Sequence, residues 1–418
     1  MHAYFHYYTS SWDLPHLREA LAQIPYLFQL NDHDIFDGFG SYPEYLQFSH
    51  FFKNIGRIGL QWYLLFQHHT TLDMCHSRSD EVDLFTITGT GWQFIKHLGP
   101  SVSVIGIDTR SERNPHQVLA GPTYQGLFPK IASLPPTIQH AIILLAAPII
   151  YPRLESAEHL ASTVATAKKA STGAFNLLSK AVSSTAGVIG AKDVVGSGFT
   201  QLKKSVGKHG LMSSAISVFG EVDLLDDLRG HWTHDSKDLE RTYLIRTLQG
   251  IAHSRALRVT FLSGDVHTCA AGLFHDPNKP HDHKTMYQII SSGIVNAPPP
   301  AFVLRMLNAN HKPLYIPQNG IRTSSMPSDT KEDMIEVFKN EVDGRVREQK
   351  RVMGKRNYVI FTAFETSGGV GAGMGKGKGR DVEVGVSLAV DFIVQGEGVY
   401  AATGKYGPVV VPRVEVGW

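Results

Sequence analysis

The sequence predicts one large α/β domain with extensions. The chain has 418 residues, of which 42% are hydrophobic and 19% charged, which is typical of a globular protein with a large core. Apolar runs that predict buried strands, such as 102–107 and 141–150, alternate with stretches of helical pattern. Two predicted strands run directly into clusters of Asp and His. We therefore expect a sheet with a polar site at the carboxyl ends of its strands.

The first seventy residues predict helices around one strand. Leu14–Gln23 is a helix candidate with Pro15 in its first turn, where the missing N–H is tolerated. The apolar run Ile24–Leu30 predicts a strand, and Tyr45–His69 predicts one or two helices with core aromatic residues. The elements predicted after them are the strands Val102–Ile107 and Ala141–Ile150, the helix Asp238–Ile251, the strands at 259–262 and Tyr287–Ile290, a charged exposed helix at Thr330–Arg351, and β-rich runs at Asn357–Phe364 and Val382–Val394.

Residues 156–219 differ in composition and predict a helical insertion. They are rich in Ala, Ser, Gly and Lys, and their apolar residues recur every three or four positions in a narrow stripe. Such a basic amphipathic segment is able to lie on an anionic membrane surface, and 160–210 is the stretch predicted to do so. A solvated helix packed loosely on the domain is the alternative.

A second biased segment, the Gly-rich stretch 368–379, predicts a flexible loop between two strands. It lacks the Gly-Lys-Ser/Thr ending of a phosphate-binding loop, and a strand rather than a helix follows it. We therefore divide the chain into a domain at 1–355, which contains the insertion, and a β-rich C-terminal extension at 356–418.

Charge and cysteine content limit the classes of partner and compartment. The formal net charge is +2, so nucleic acid is not a required partner. Cys75 and Cys269 form no disulfide framework and favour a reducing compartment. The first residues lack the basic and apolar regions of a secretory signal, and no run of about 20 apolar residues predicts a spanning helix. We expect an intracellular, cytoplasmic protein.

The Asp/His clusters are Asn31-Asp32-His33-Asp34 and Gly264-Asp265-Val266-His267. Carboxylates and imidazoles together serve as metal ligands or as general acids and bases. Each cluster alone also fits an ordinary polar turn with a solvated histidine. Arg110 follows a third strand end, where it is suited to contact a phosphate; a surface ion pair with Glu112 is the alternative. Because the architecture recurs, we expect one divalent-metal site built from both clusters.

The clusters resemble motifs of PhoD-like alkaline phosphatases, in the metallophosphoesterase superfamily. The stretch 31–43 resembles that family's Asp-Asp-His-Asp motif, which in the fungal and bacterial branch continues into Gly-Ser-Tyr-Pro. The stretch 263–267 resembles the last metal motif, and 108–113, 290–300 and the segment around Trp232 match further parts of that branch. The resemblance implies a metallophosphatase-like layered α/β/α sandwich with mixed sheets.

The resemblance also implies roles for site residues. Asp32, Asp265 and His267 stand at metal-ligand positions. His33 stands where the family places the histidine that contacts phosphate and protonates the leaving group, with Asp34 behind it as its orienting carboxylate. Arg110 is the candidate phosphate contact. The implied cofactors are divalent or trivalent metal ions, namely Ca, Fe, Mn or Zn, and the implied partner is a small phosphate ester.

The family's first two metal motifs have no counterpart before Asp32. Only 31 residues precede it, their acidic residues are Asp13 and Glu19, and Asn31 replaces the first Asp of the motif. We therefore expect either an incomplete version of a longer enzyme or a protein that kept the scaffold and lost part of the metal site. The first case corresponds to a metal-dependent phosphoesterase that hydrolyses phosphomonoesters or phosphodiesters. The alternative function is that of a catalytically impaired scaffold or regulatory protein.

Overall fold

A computed structural model gives the fold of most of the chain. The structure describes residues 1–77, 83–114, 116–152, 232–279, 281–299, 301–309, 314–318, 327–341, 343–366, 385–396 and 401–414. The predicted insertion at 156–219 and the predicted Gly-rich loop at 368–379 lie outside these residues, as does the stretch 160–210 that we predicted to contact a membrane surface.

A mixed sheet of ten strands forms the centre of the described part of the chain. Its strands are β1 (Leu84–Phe85), β2 (Gln93–Leu98), β3 (Val102–Gly106), β4 (His140–Leu145), β5 (Arg258–Ser263), β6 (Cys269–His275), β7 (Met286–Ser291), β8 (Leu314–Tyr315), β9 (Lys331–Met334) and β10 (Val352–Met353). The spatial order is β1-β2-β3-β4-β5-β7-β6-β9-β8, and β10 pairs with β6. The four strands β3, β4, β5 and β7 run parallel, so their carboxyl ends lie at one edge.

Of the helices in the described residues, two pack on the central strands at one face of this sheet. The helices are α1 (His2–Trp12), α2 (Pro15–Gln23), α3 (Glu44–Gln47), α4 (His50–Gln67), α5 (Leu72–Ser77), α6 (Gly121–Ala132), α7 (Asp238–Arg255) and α8 (Ala301–Ala309). Leu127 of α6 and Leu248 of α7 are fully buried in one cluster with Ile143 and Phe261 of the central strands. None of the helices in the described ranges combines the length and apolar character needed to cross a bilayer.

A three-stranded antiparallel sheet covers the opposite face. Its strands are β11 (Asn357–Thr366), β12 (Gly385–Val394) and β13 (Gly404–Val411). Val390 and Phe392 share a buried cluster with Val104, Ile142 and Ile289 of the large sheet. The predicted layered α/β fold with mixed sheets is therefore confirmed, with the detail that a sheet rather than helices forms the layer opposite α6 and α7. The boundary predicted at residue 355 stays a prediction.

Two predicted elements were wrong. Residues 24–30 form no strand, since they belong to neither sheet, and Leu30 is buried instead against Tyr63 and Trp92. Pro25 removes a donor from this run, which disfavours a central strand. Thr330–Arg351 is not a helix but contains β9 and irregular backbone. One of its charged residues lies in a buried ion pair: the Glu332 carboxylate accepts a hydrogen bond from Arg241 at 2.7 Å.

His140 connects the two sheets, and we expect it to make the folded protein less stable in acid. Its Nε2 donates to the carbonyl of Val386 at 2.8 Å, and burial lowers its pKa from 6.5 to about 4. The folded protein therefore binds fewer protons here than the unfolded chain, so stability is lost as pH falls from about 6.5 to about 4. The loss is at most about 3 kcal/mol.

The check is urea unfolding at pH 7 and at pH 4.5, with His140→Gln as the comparison. Glutamine retains an N–H donor for Val386 but does not titrate in this range. The variant should lose less stability on acidification than the wild type. An equal loss in both proteins would contradict the assignment to His140.

Candidate functional site

Three turns meet at the carboxyl ends of the parallel strands. One is the turn at 31–34, the second follows β3 at 108–110, and the third follows β5 at 264–267. The Asn31 Nδ2 donates to Asp265 Oδ1 at 3.1 Å, although 234 residues separate them. The structure thus brings the two Asp/His clusters together, as expected for ligand sites in open α/β sheets.

The first turn is a single 3₁₀ turn, Asp32–Asp34, that is fixed by reciprocal capping. The Asn31 side chain accepts from the backbone of Asp34, and Asp34 Oδ2 accepts from Asn31 N at 2.8 Å. Asp34 Oδ1 accepts from Gln67 of α4 at 2.6 Å. Asp32 is only 2% exposed, and its oxygens accept from the backbone N–H groups of His33 and Gly38 at 2.9 and 2.8 Å. The turn holds one buried carboxylate at the site.

Asp108 builds the second turn. It is fully buried, and its Oδ1 accepts from the backbone N–H groups of Arg110 and Ser111 at 3.0 and 2.9 Å. Its Oδ2 accepts from Ser111 Oγ at 2.6 Å and from Trp92 N at 3.2 Å. Burial raises the pKa of this carboxyl. This Asx-type turn aims Arg110 at the other two turns.

The Arg110 guanidinium lies among the three turns. Its Nη2 donates to both oxygens of Asp265 at 2.9 Å, its Nε donates to Asn31 Oδ1 at 2.8 Å, and Nη2 lies 3.6 Å from Asp32 Oδ1. The side chains of Arg110 and Asp32 are each 3% exposed. The predicted alternative was a surface ion pair with Glu112, but Arg110 is buried, and the Glu112 carboxylate accepts from Ala120 N and Thr123 Oγ1. Arg110 as a phosphate contact stays a prediction.

The third turn holds two non-glycine residues in the left-handed region. Asp265 has φ +72° and His267 has φ +51°. Each such residue costs about 1–2 kcal/mol relative to the right-handed conformation, so surrounding contacts must hold the turn. His267 N donates to Ser292 Oγ at 2.9 Å, and the His267 ring Nε2 lies 3.5 Å from Asn296 Nδ2.

The His33 side chain is exposed and pairs with Asp37. His33 Nε2 lies 3.3 Å from Asp37 Oδ1, and the two side chains are 62% and 65% exposed. The hydrogen bond with Asp37, together with the charges of Asp32 and Asp265, raises the pKa of His33 to about 9, and the same contact lowers the pKa of Asp37. The predicted role of Asp34 is corrected here: Asp34 uses its oxygens on Asn31 and Gln67, and Asp37 is the carboxylate beside the imidazole.

The potential metal ligands form a different group from the predicted one. Within the described residues, ligand atoms of Asp32, His33 and Asp37 all lie within 4.8 Å of one another. Asp265 and His267, which we predicted to be ligands with Asp32, are not in this group. The physical reason for Asp265 is that both of its oxygens accept from Arg110 Nη2. Two carboxylates and one imidazole are suitable donors for Zn, Mn or Fe, so the residues fit a metal ion.

Sequence reasoning missed Asp37 and the bridging role of Asn31. Asp37 lies within the motif-like stretch 31–43, and its spacing of four residues from His33 was the available signal, because one further turn of chain brings such residues close. The role of Asn31 had no sequence signal, because it depends on contacts with two residues distant in the chain.

Gly40 packs closely against the backbone of Arg110, and we expect Gly40→Ala to destabilise the protein. Gly40 has φ +90°, and a Cβ there would lie 2.8 Å from the carbonyl oxygen of Arg110 and 3.0 Å from Arg113 Cβ. The left-handed conformation alone costs a residue with Cβ about 1–2 kcal/mol, and the clash adds to this cost. Thermal unfolding should show a lower midpoint.

Gly89→Ala is the matched control. Gly89 has φ +80°, but no heavy atom lies within 4 Å of the added Cβ, so this variant reports backbone strain alone. Gly40→Ala should be the less stable of the two. Equal midpoints for both variants would show that the Arg110 backbone tolerates the added methyl group.

Comparisons with known proteins agree with the motifs. The sequence model of the family described as "PhoD related phosphatase" matches residues 1–418. The chain is 28% identical to the "Uncharacterized protein YGR266W" of Saccharomyces cerevisiae, over 81% of this chain and 48% of that protein. It therefore spans about half the length of the curated relative it matches. No solved structure matches the chain. The family match covers the whole chain, and the protein belongs to the PhoD related phosphatases.

Proposed function

We propose that this protein is a metal-dependent phosphoesterase that hydrolyses phosphate monoesters or diesters. The observation that carries the proposal is the meeting of Asp32, His33, Arg110 and Asp265 at one edge of the sheet, with the 3.1 Å contact between Asn31 and Asp265 joining two distant motifs. Family membership supports the reaction class. Carboxylates and an imidazole are suited to metal binding and general acid–base catalysis, and a guanidinium is suited to binding phosphate oxygens.

Asp32, His33 and Asp37 would hold the metal ion. The ion would supply Lewis-acid stabilisation of the phosphoryl oxygens and lower the pKa of a bound water. The donor set favours Zn, Mn or Fe over Ca, which prefers six to eight oxygen ligands. Asp32 is fixed by two backbone N–H groups, and Asp37 is exposed to solvent.

His33 has two roles that the structure permits: metal ligand or proton donor to the leaving group. Its ring is 62% exposed and is oriented by Asp37, so a substrate is able to reach it. His33→Gln separates the roles. A large loss of metal affinity would identify a ligand, whereas unchanged affinity with a lower kcat would identify a proton donor.

Arg110 would contact phosphate only by exchanging partners. Its Nε and Nη2 already donate to Asn31 and Asp265. A phosphate group offers the guanidinium two or more oxygen acceptors, as a carboxylate does, so it is able to compete for Arg110. Binding would then release Asp265 from its ion pair.

Turnover of p-nitrophenyl phosphate and bis(p-nitrophenyl) phosphate tests the proposed function. We expect the full chain to hydrolyse at least one of them after addition of Mn²⁺, Zn²⁺ or Fe³⁺, and EDTA to abolish the reaction. Asp265→Ala and His267→Ala should lose the activity. Asp343→Asn, which changes an exposed carboxylate paired with Arg345, is the control and should keep it. Equal activity in all variants would refute the assignment.

A catalytically silent scaffold is the second candidate, and the position of Arg110 favours it. One guanidinium neutralises Asp265 and lies 3.6 Å from Asp32, so these carboxylates have a counter-charge from the chain itself. Metal analysis of the purified protein distinguishes the two functions. Stoichiometric, tightly bound metal would contradict the scaffold; no metal binding and no turnover with any added ion would contradict the phosphoesterase.

A further inference from the structure

The turn that contains Asp265 and His267 is held in place by the loop that follows β7. His267 N donates to Ser292 Oγ at 2.9 Å, and Ser292 N donates to the carbonyl of Thr268 at 3.2 Å. Gly293 follows with φ +77°, and a Cβ on it would lie 3.7 Å from His267 Cα, so the loop after β7 packs directly on the turn. The position of Ser292 therefore sets the position of the His267 backbone.

Asn357 fixes that loop from the three-stranded sheet. Asn357 is the first residue of β11 and is 4% exposed. Its Nδ2 donates to the carbonyl of Ser292 at 2.6 Å and to that of Lys355 at 2.8 Å, and its Oδ1 accepts from Ser291 Oγ at 2.9 Å. One buried amide thus ties the end of β7 to the start of β11.

The neighbouring residue adds a second connection. Arg356 Nε donates to the carbonyl of Val295 at 2.7 Å, and Asn296, the next residue, places its Nδ2 3.5 Å from His267 Nε2. The segment 355–357 consequently contacts the 291–296 loop at two points, one behind the His267 backbone and one beside its ring.

We propose that Asn357 is a positioning residue that orients His267 through Ser292, so that the C-terminal sheet contributes to the geometry of the site. Two left-handed residues in one turn do not keep their conformation without such restraints. The expected effect on turnover rests on the proposed function. The expected effect on the orientation of the His267 ring does not depend on it.

The test compares Asn357→Ala and Ser292→Ala with the wild-type full chain. We expect both to lower kcat for the active p-nitrophenyl ester by roughly 10–100-fold, the range for residues that orient a side chain of a metal-dependent site, with KM nearly unchanged. Ser292→Thr retains the hydroxyl and should restore most of the activity. The ring resonance of His267, observed in ¹³C-histidine-labelled protein and assigned with His267→Gln, should shift in both alanine variants.

Asn308→Ala is the matched control for loss of a buried asparagine. The Asn308 side chain is also buried, donates to the carbonyls of Leu304 and Val352, and accepts from the N–H groups of Arg351 and Val352, which joins α8 to β10. It should leave kcat and the His267 resonance unchanged. Equal effects in Asn308→Ala, or an unshifted resonance in folded Asn357→Ala and Ser292→Ala, would overturn the proposal. If the wild type has no turnover, the proposed function fails and the resonance alone decides the positioning role.

Discussion

Arg110→Ala should lower the free energy of unfolding by about 3–5 kcal/mol, because it leaves Asp265 and the buried Asp32 without their shared counter-charge. The guanidinium is 3% exposed and makes hydrogen bonds to both oxygens of Asp265 and to Asn31, so one substitution removes the contacts that join three turns. Urea unfolding at neutral pH measures the loss.

Arg345→Ala is the matched control for removal of an arginine. Arg345 pairs with Asp343 at 2.6 Å, but the two side chains are 78% and 52% exposed, so the expected change is within about 1 kcal/mol. A similar loss in both arginine variants would show that solvent screens the Arg110 pair.

A double-mutant cycle isolates the ion pair from general packing. Asp265→Asn in the Arg110→Ala background removes the negative charge that has lost its arginine, so the second substitution should cost less than it does in the wild type. A coupling energy of about 1–3 kcal/mol is expected for residues in direct contact. Additive losses would mean that Arg110 stabilises the turns through its other contacts.

The central sheet was predictable because its strands carry local signals. The runs at 102–107, 141–150 and 259–262 are apolar on both faces, as parallel strands covered by layers on both sides require. The run at 24–30 carries a similar apolar signal but has no strand partner, since burial of Leu30 against Tyr63 and Trp92 satisfies the same hydrophobic pattern. The hydrophobic pattern of a segment indicates that it is buried. Whether the segment pairs as a strand depends on its spatial neighbours, which the pattern does not identify.

The candidate site was predictable at the level of motifs but not of contacts. The 264–267 turn lies at the carboxyl end of β5, as strand-end placement predicts, whereas the 31–34 turn reaches it without a strand before it. The partner of His33 was wrong, because Asp34 turns back to cap its own turn while Asp37 faces the ring. The support of His267 by Asn357 spans 90 positions of the sequence and requires the second sheet to be in place.

Asp37→Asn should lower the affinity of the protein for Zn²⁺ or Mn²⁺ by at least about 10²-fold, since loss of even an orienting partner of a metal ligand costs 10–100-fold. Asp37 is 65% exposed, so the substitution removes a charge from the site without disturbing the core. Isothermal titration calorimetry with each ion alone measures the affinity. Asp32→Asn should have an effect at least as large, but its two backbone contacts also support the turn, so its folding must be checked.

Asp13→Asn is the control for general electrostatic attraction. Asp13 is also exposed, at 70%, but its partner Arg18 lies on the adjacent α2, and it belongs to no group of potential ligands in the described residues. A metal ion held by Asp32, His33 and Asp37 should bind this variant as tightly as the wild type. If Asp13→Asn and Asp37→Asn weaken binding equally, the ion is held only by the overall surface charge, and the acidic residues at 32–37 are not its site. If Asp37→Asn alone weakens binding, residues 32–37 bind the cation that metal-dependent phosphate-ester hydrolysis needs.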